Sequence, residues 1–187
     1  MKSLVTAAAA AAMVMAACSQ SQPPVPRRTA YPRIEPYSDS VVTAAVGPVG
    51  FSIRAEADTA VQRPGWLDIS YPRYNATTML TVRRFGSRAE LDAALANRMQ
   101  RISLNLGDRT AASEEFTNGA GFICRLIVSL DGGPTPVQMI ACDTAAHILI
   151  SGASVIDGPA EPADSVAPAV DALAADARII LKTAHTL

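Results

Sequence analysis

Two histidines and three cysteines in 187 residues leave little material for a metal centre or a nucleophile–base pair. Cys124 and Cys142 have no His or acidic set beside them, which argues against zinc. His147 falls at an expected strand start and His185 near the end of the sequence, and neither pairs with an obvious Ser or Cys nucleophile. Glu114 and Glu115 are adjacent, so on a strand they point to opposite faces and make a poor acid–base couple. Asp131-Gly132-Gly133 reads as a turn and not as a phosphate cradle, because no helix start follows it. Basic residues are scattered apart from Arg27-Arg28 and Arg83-Arg84, and the formal net charge is −1. Without a basic stripe interleaved with aromatics, nucleic acid is not an expected partner. No catalytic residue, metal or cofactor is expected, and the chain is not expected to be an enzyme.

What is present suits a folded domain. Hydrophobic residues make up 49% and charged residues 18% of the chain, which excludes a disordered polymer. Much of that apolar content is alanine, at the N-terminus and in the last expected helix. The length suits one domain with a real core.

The N-terminus reads as an export leader. Met1-Lys2 gives a positive start, and the 14 residues from Leu4 to Ala17 carry no charge. That run is too short to span a bilayer and suits a signal h-region. It ends in Met15-Ala16-Ala17-Cys18, small residues directly before a cysteine, which resembles a bacterial lipobox. The resemblance implies cleavage after residue 17, with acyl chains on the sulfur and amine of Cys18, enough lipid for stable anchoring. Ser19 follows where an Asp would otherwise direct sorting, and Ser19-Gln20-Ser21-Gln22 lacks an acidic run. A periplasm-facing, outer-membrane anchor is the expectation. From Ser19 to Pro36, Pro23, Pro24, Pro26, Pro32 and Pro36 stand among polar residues. This composition favours extended polyproline II over roughly 50 Å, a tether that cannot pack a core. Three parts follow: 1–17 leader, 18–36 lipidated cysteine and tether, 37–187 folded domain.

Within the domain, Val49 to Ala55 reads as the first strand and Ala57 to Pro64 as a loop. The stretch Arg63–Arg84 reads as a hairpin broken at Pro72-Arg73-Tyr74-Asn75. Pairing Leu67 with Val82, Ile69 with Leu80 and Tyr71 with Thr78 puts all six on one face. Ser87 with Glu90 forms a capping box for a helix whose stripe is Leu91, Leu95, Met99, Ile102 and Leu106. Residues 109–120 stay open between strand and loop. Three meander strands follow, 122–130, 136–142 and 146–152, with turns at Asp131-Gly132-Gly133 and Asp143-Thr144-Ala145. Gly158 to Pro162 is a breaker cluster. The last helix starts near Asp164 or Ser165, with Pro168 in its first turn and Val166, Val170, Leu173, Ala177, Ile180 and Ala184 on its stripe. The expected class is α+β: an antiparallel sheet of about five to six strands with two covering helices, in a single domain.

If the 122–142 hairpin centres on Gly133, Cys124 and Cys142 lie directly opposite each other. An oxidising envelope permits a disulfide there, provided the pair is of the closer, non-hydrogen-bonded kind. Two buried thiols acting as small hydrophobes are the other reading.

Gly65-Trp-Leu-Asp-Ile-Ser-Tyr-Pro-Arg-Tyr-Asn-Ala-Thr77, continuing to Leu80 and Val82, resembles the gliding-motility lipoprotein family GldD of Bacteroidetes. Tyr31-Pro-Arg-Ile-Glu-Pro36 resembles it too. So do Val137-Gln-Met-Ile-Ala-Cys-Asp-Thr144 and Ala163-Asp-Ser-Val-Ala-Pro168. The resemblance covers roughly Tyr31 to Thr183. It implies a lipoprotein needed for gliding and tied to the secretion machinery that shares its parts, with envelope proteins as partners and no catalytic residues. Asp39-Ser40-Val41 and Asp58-Thr59-Ala60 resemble the sites at which Bacteroidetes proteins are O-glycosylated, which points to Ser40 and Thr59. Arg73 and Tyr74, expected to be exposed on the hairpin loop, are the candidate partner contact, since Arg and Tyr are enriched at binding hot spots. The alternative is a periplasmic lipoprotein domain that binds a small ligand in a cleft between sheet and helix.

Overall fold

The computed structural model describes residues 34–158 and 163–187. The leader, Cys18, the tether up to Arg33 and most of the 158–162 breaker lie outside the described residues. The described residues belong to one compact unit.

Elements follow in the order β1 (Val41–Val46), β2 (Val49–Arg54), β3 (Asp58–Arg63), β4 (Trp66–Tyr71), a 3-10 turn at Pro72–Tyr74, β5 (Ala76–Arg84), α1 (Arg88–Leu106), β6 (Ala111–Thr117), β7 (Ile123–Ser129), β8 (Val137–Asp143), β9 (Ile148–Ile156), α2 (Ala163–Thr183) and β10 (His185–Thr186). Seven strands form an antiparallel sheet in the order β3-β4-β5-β9-β8-β7-β6, and β1-β2-β10 form a separate small sheet. The fold is α+β as expected, but with ten strands in two sheets among the described residues. Both faces of the large sheet are covered. On one, Leu67, Ile69, Leu80, Met139 and Ile150 pack with α2 residues Leu173, Ile180 and Leu181 and with Phe51 and Ile53 of the small sheet. On the other, Ile127, Ile140, Cys142 and Leu149 pack with Leu91 and Ile102 of α1.

Sequence and structure part at several elements. β1 precedes the expected first strand and pairs with it across Gly47-Pro48, with Val46 opposite Val49. Gly47 has φ +56°, which a two-residue turn at that point requires. The expected loop at 57–64 contains β3, the edge strand beside β4. All six β3 residues are exposed, so it has no buried face to impose an apolar alternation on its sequence. The central hairpin keeps its inward face and shifts register by two: Leu67 pairs with Leu80, Ile69 with Thr78 and Tyr71 with Ala76. The cause is the 3-10 turn, closed by Asn75 at φ 48°, which reverses the chain sooner than a longer loop would. Because the shift is even, every side chain keeps its side.

Residues 111–117 form β6, paired with β7 and carrying the half-buried Phe116. Ser87 caps α1, its Oγ accepting the Glu90 N–H at 3.3 Å, and the Glu90 carboxylate accepts the Gly86 N–H at 2.9 Å. In α2, which begins at Ala163, Pro168 falls beyond the first turn and deletes one helical hydrogen bond. Ile34 packs against the core and Tyr37 is buried.

Candidate functional site

The β4–β5 loop is not a free surface. Tyr74 is only 5% exposed. Its hydroxyl accepts the Tyr37 N–H at 3.1 Å, and the Tyr37 hydroxyl accepts the Arg73 N–H at 3.3 Å. The Tyr37 ring stands edge-on to those of Tyr74 and Tyr71, with centroids 4.9 and 5.9 Å away, while Tyr71 and Tyr74 stack at 5.9 Å. The Arg73 guanidinium lies 4.7 Å over the Tyr37 ring, donates to the Pro36 carbonyl at 3.3 Å and pairs with Glu56. Glu56 also accepts the Ser38 N–H, at 3.0 Å. Arg73 and Tyr74 therefore hold the segment 36–38 against the domain. Only Arg73, its side chain 44% exposed, keeps an outward surface. The expectation of a free Arg–Tyr contact patch is corrected on the Tyr74 side: a tyrosine beside two other tyrosines on the core face gains more from burial than from solvent.

Arg54 extends this clamp. It pairs with Asp176 of α2 at 2.7 Å and with Asp39 at 2.9 Å, and it donates to the Ser38 carbonyl at 2.8 Å. Burial raises the Asp176 carboxyl above the ordinary carboxylate range, with Arg54 pulling it down. Asp176 Oδ2 has no hydrogen-bond partner among the described residues. The Tyr71 hydroxyl is likewise pushed up, by burial first and then by Asp176.

The cysteines are not bridged. Cys142 pairs with Ile123, and Cys124 with Ala141. The hairpin turns one residue off the expected centre, and an odd shift sends the two side chains to opposite faces. Both thiols are free and buried, Cys124 on the α2 side and Cys142 on the α1 side. Burial pushes the Cys124 thiol up to about 11 and raises that of Cys142, so both are poor nucleophiles.

His147 sits at φ 54° in the turn before β9, and His185 lies in β10. Among the described residues, no three His, Cys, Asp or Glu side chains gather as metal ligands. Ser40 and Thr59 are both exposed, Ser40 just ahead of β1 and Thr59 on the edge strand β3. Asp143 Oδ1 accepts the Ala145 and Ala146 N–H groups, each at 2.9 Å, which makes the Asp143-Thr144 stretch a turn.

A cleft of about 170 Å³ lies between α1 and the β6–β8 end of the sheet, bordered by Leu95, Met99, Ile123, Ile140, Arg88 and Arg125; the sequence offered a sheet–helix cleft as an alternative but named none of these residues for it. Arg98 escaped sequence reasoning altogether. It donates to the Gly152 carbonyl at 2.9 Å and approaches Gln138 Oε1 at 3.4 Å, while Arg98 Nε and Gln138 Nε2 are buried without partners. Desolvation lowers the pKa of Arg98, which forms no salt bridge to any described carboxylate. No spacing rule identifies an arginine whose partner is a distant backbone carbonyl.

The sequence profile of the gliding motility lipoprotein GldD family matches residues 21–185 of the 187. The chain belongs to the GldD family. The resemblance carried by the hairpin and the C-terminal half is thereby borne out. In this GldD chain, those stretches are β4–β5 with its turn, β8, and the opening of α2. Membership of a lipoprotein family gives the chain a lipid anchor in the cell envelope, and the matched region begins just after Cys18. No helix among the described residues is long and apolar enough to cross a membrane. No curated protein matches the chain.

Proposed function

We propose that this GldD chain is a non-catalytic assembly component, held to the outer membrane by lipid on Cys18 and facing the periplasm. There it supports a gliding or type IX secretion complex through protein contacts. The family match over residues 21–185 carries the reading. The clamp at Tyr37, Arg73 and Tyr74 is consistent with it, since an anchored module that works by position benefits from a fixed junction between tether and domain. Signal cleavage after residue 17 and O-glycans on Ser40 and Thr59 belong to the same proposal.

The test is crosslinking in the native envelope followed by purification of the chain. A stoichiometric envelope protein crosslinked to the domain supports the assembly role, and a domain recovered alone refutes it. Labelled palmitate absent from the mature chain refutes the anchor on Cys18. Digestion by protease added to unlysed cells refutes the periplasmic orientation. An intact mass equal to that of the bare lipidated chain refutes the glycans.

A further inference from the structure

Helix α1 buries Leu91 and Ile102 of its apolar stripe and not the two residues between them. Leu91 and Ile102 are buried, whereas Leu95 and Met99 between them are only half-buried. Across from them Ile123 is 54% exposed. A helix packed tightly on a sheet covers such side chains; here they border a concave space of about 170 Å³. That is close to the ~150 Å³ of a cavity that takes up benzene, so the space suits an apolar group of about six carbons.

The mouth is polar in one particular way. Arg125 leans on the wall, its Nη1 3.5 Å from Met99 Sδ, and pairs through Nη2 with Glu115 at 2.6 Å. Its side chain is 35% exposed and that of Glu115 is 57% exposed. The guanidinium is thus the fixed member, and Glu115, on the edge strand β6, is the exchangeable one. Arg88 on the same rim is paired with its helix neighbour Asp92, at 2.8 Å and largely in solvent. Exposed pairs of this kind contribute little, so an incoming carboxylate replaces Glu115 at small cost, and an arginine fork accepts a carboxylate in two-point geometry.

We propose that the α1 cleft is a binding site for a small monocarboxylic acid with an apolar part of about six carbons. Its carboxylate sits on Arg125 and its chain lies against Leu95, Met99, Ile123 and Ile140. This site is separate from the assembly role above and stands or falls without it.

The test uses the mature full chain in amphipol and a seven-carbon acid carrying a chain diazirine. After photolysis, the labelled positions are mapped by peptide mass spectrometry. The expected labels fall on Leu95, Met99, Ile123 and Ile140, the residues that line the cleft. Excess hexanoate suppresses them at least about fivefold, and hexanol of equal length does not. Arg125→Met lowers labelling by a similar factor. Glu115→Gln, which frees Arg125, raises it, an increase that a misfolded variant does not produce. Labels scattered over the surface, or confined to Val128–Gly132 on the other face, overturn the site. Equal competition by hexanol, or no change in both variants, overturns the role of Arg125.

Discussion

Arg54 Nε donates to Asp176 Oδ1 at 2.7 Å, joining β2 to α2 inside the domain, and the two ends of this bond are not equally replaceable. Among the described residues, Asp176, 4% exposed, has no other partner, whereas Arg54 also reaches Asp39 and the Ser38 carbonyl. Arg54→Met leaves a buried carboxylate alone and should cost about 3–5 kcal/mol. Asp176→Asn leaves an arginine with two remaining acceptors and should cost roughly 1–2 kcal/mol. Urea unfolding of both variants decides it, and equal losses contradict the asymmetry.

The same carboxyl sets a pH dependence. Burial raises the Asp176 pKa above the ordinary carboxylate range, so the folded state holds this proton more tightly than the unfolded chain does. Its contribution favours folding at low pH and declines as pH rises from about 4 through the raised value. Wild type should therefore lose stability relative to Asp176→Asn as pH rises over that interval. Thermal midpoints of the two proteins measured in parallel give the answer, and a constant difference contradicts it.

Tyr74→Phe should act on the junction and not on the core. It removes the acceptor of the Tyr37 N–H and keeps the ring stack. The expected cost is about 1 kcal/mol, with amide exchange at Tyr37 faster by about fivefold. Tyr74→Ala, which also empties a buried site, should cost about 3–5 kcal/mol. Unchanged exchange at Tyr37 in the Phe variant shows that the clamp does not hold the segment.

How far these features were legible follows from what each depends on. The inward face of β4–β5 was readable because alternation fixes which side a residue takes, and a register error of two leaves that unchanged. The Cys124–Cys142 relation was not, because it turns on the parity of a turn whose length the residues from Leu130 to Pro136 do not announce. Helix α1 was visible from its cap and stripe, but a stripe records which residues are apolar and not how closely they meet the sheet. The cleft at Leu95 and Met99 lies in that difference. Tyr74 looked like a loop residue because its partners, Tyr37 and Tyr71, are brought to it by tertiary packing. β3 gave no signal because none of its residues is buried.

Both free thiols should be countable. Iodoacetamide added to denatured, unreduced protein should modify Cys124 and Cys142 alike, and reductant should leave the thermal midpoint of the native protein unchanged. In the native protein, burial and raised thiol pKa values should make both slow to react at neutral pH. A mass two hydrogen atoms short at these positions, with neither thiol alkylated, restores the bridge and requires a different β7–β8 register.

Arg98 offers the converse of the Arg54 case. Among the described residues its guanidinium has no carboxylate partner, and Arg98 Nε and Gln138 Nε2 are buried donors with no acceptor. Leaving donors unsatisfied costs more than their bonds to Gly152 and to each other return, so removing them while keeping volume should not hurt. Arg98→Met, which preserves the stem over the sheet, is expected to lie within about 1 kcal/mol of wild type or above it. Arg98→Ala, which removes the stem as well, should fall below Arg98→Met by about 1–2 kcal/mol. Denaturant titrations of the three proteins separate packing from charge: a large loss in Arg98→Met would mean that the bond to the Gly152 carbonyl, and not the aliphatic stem, fastens α1 to β9.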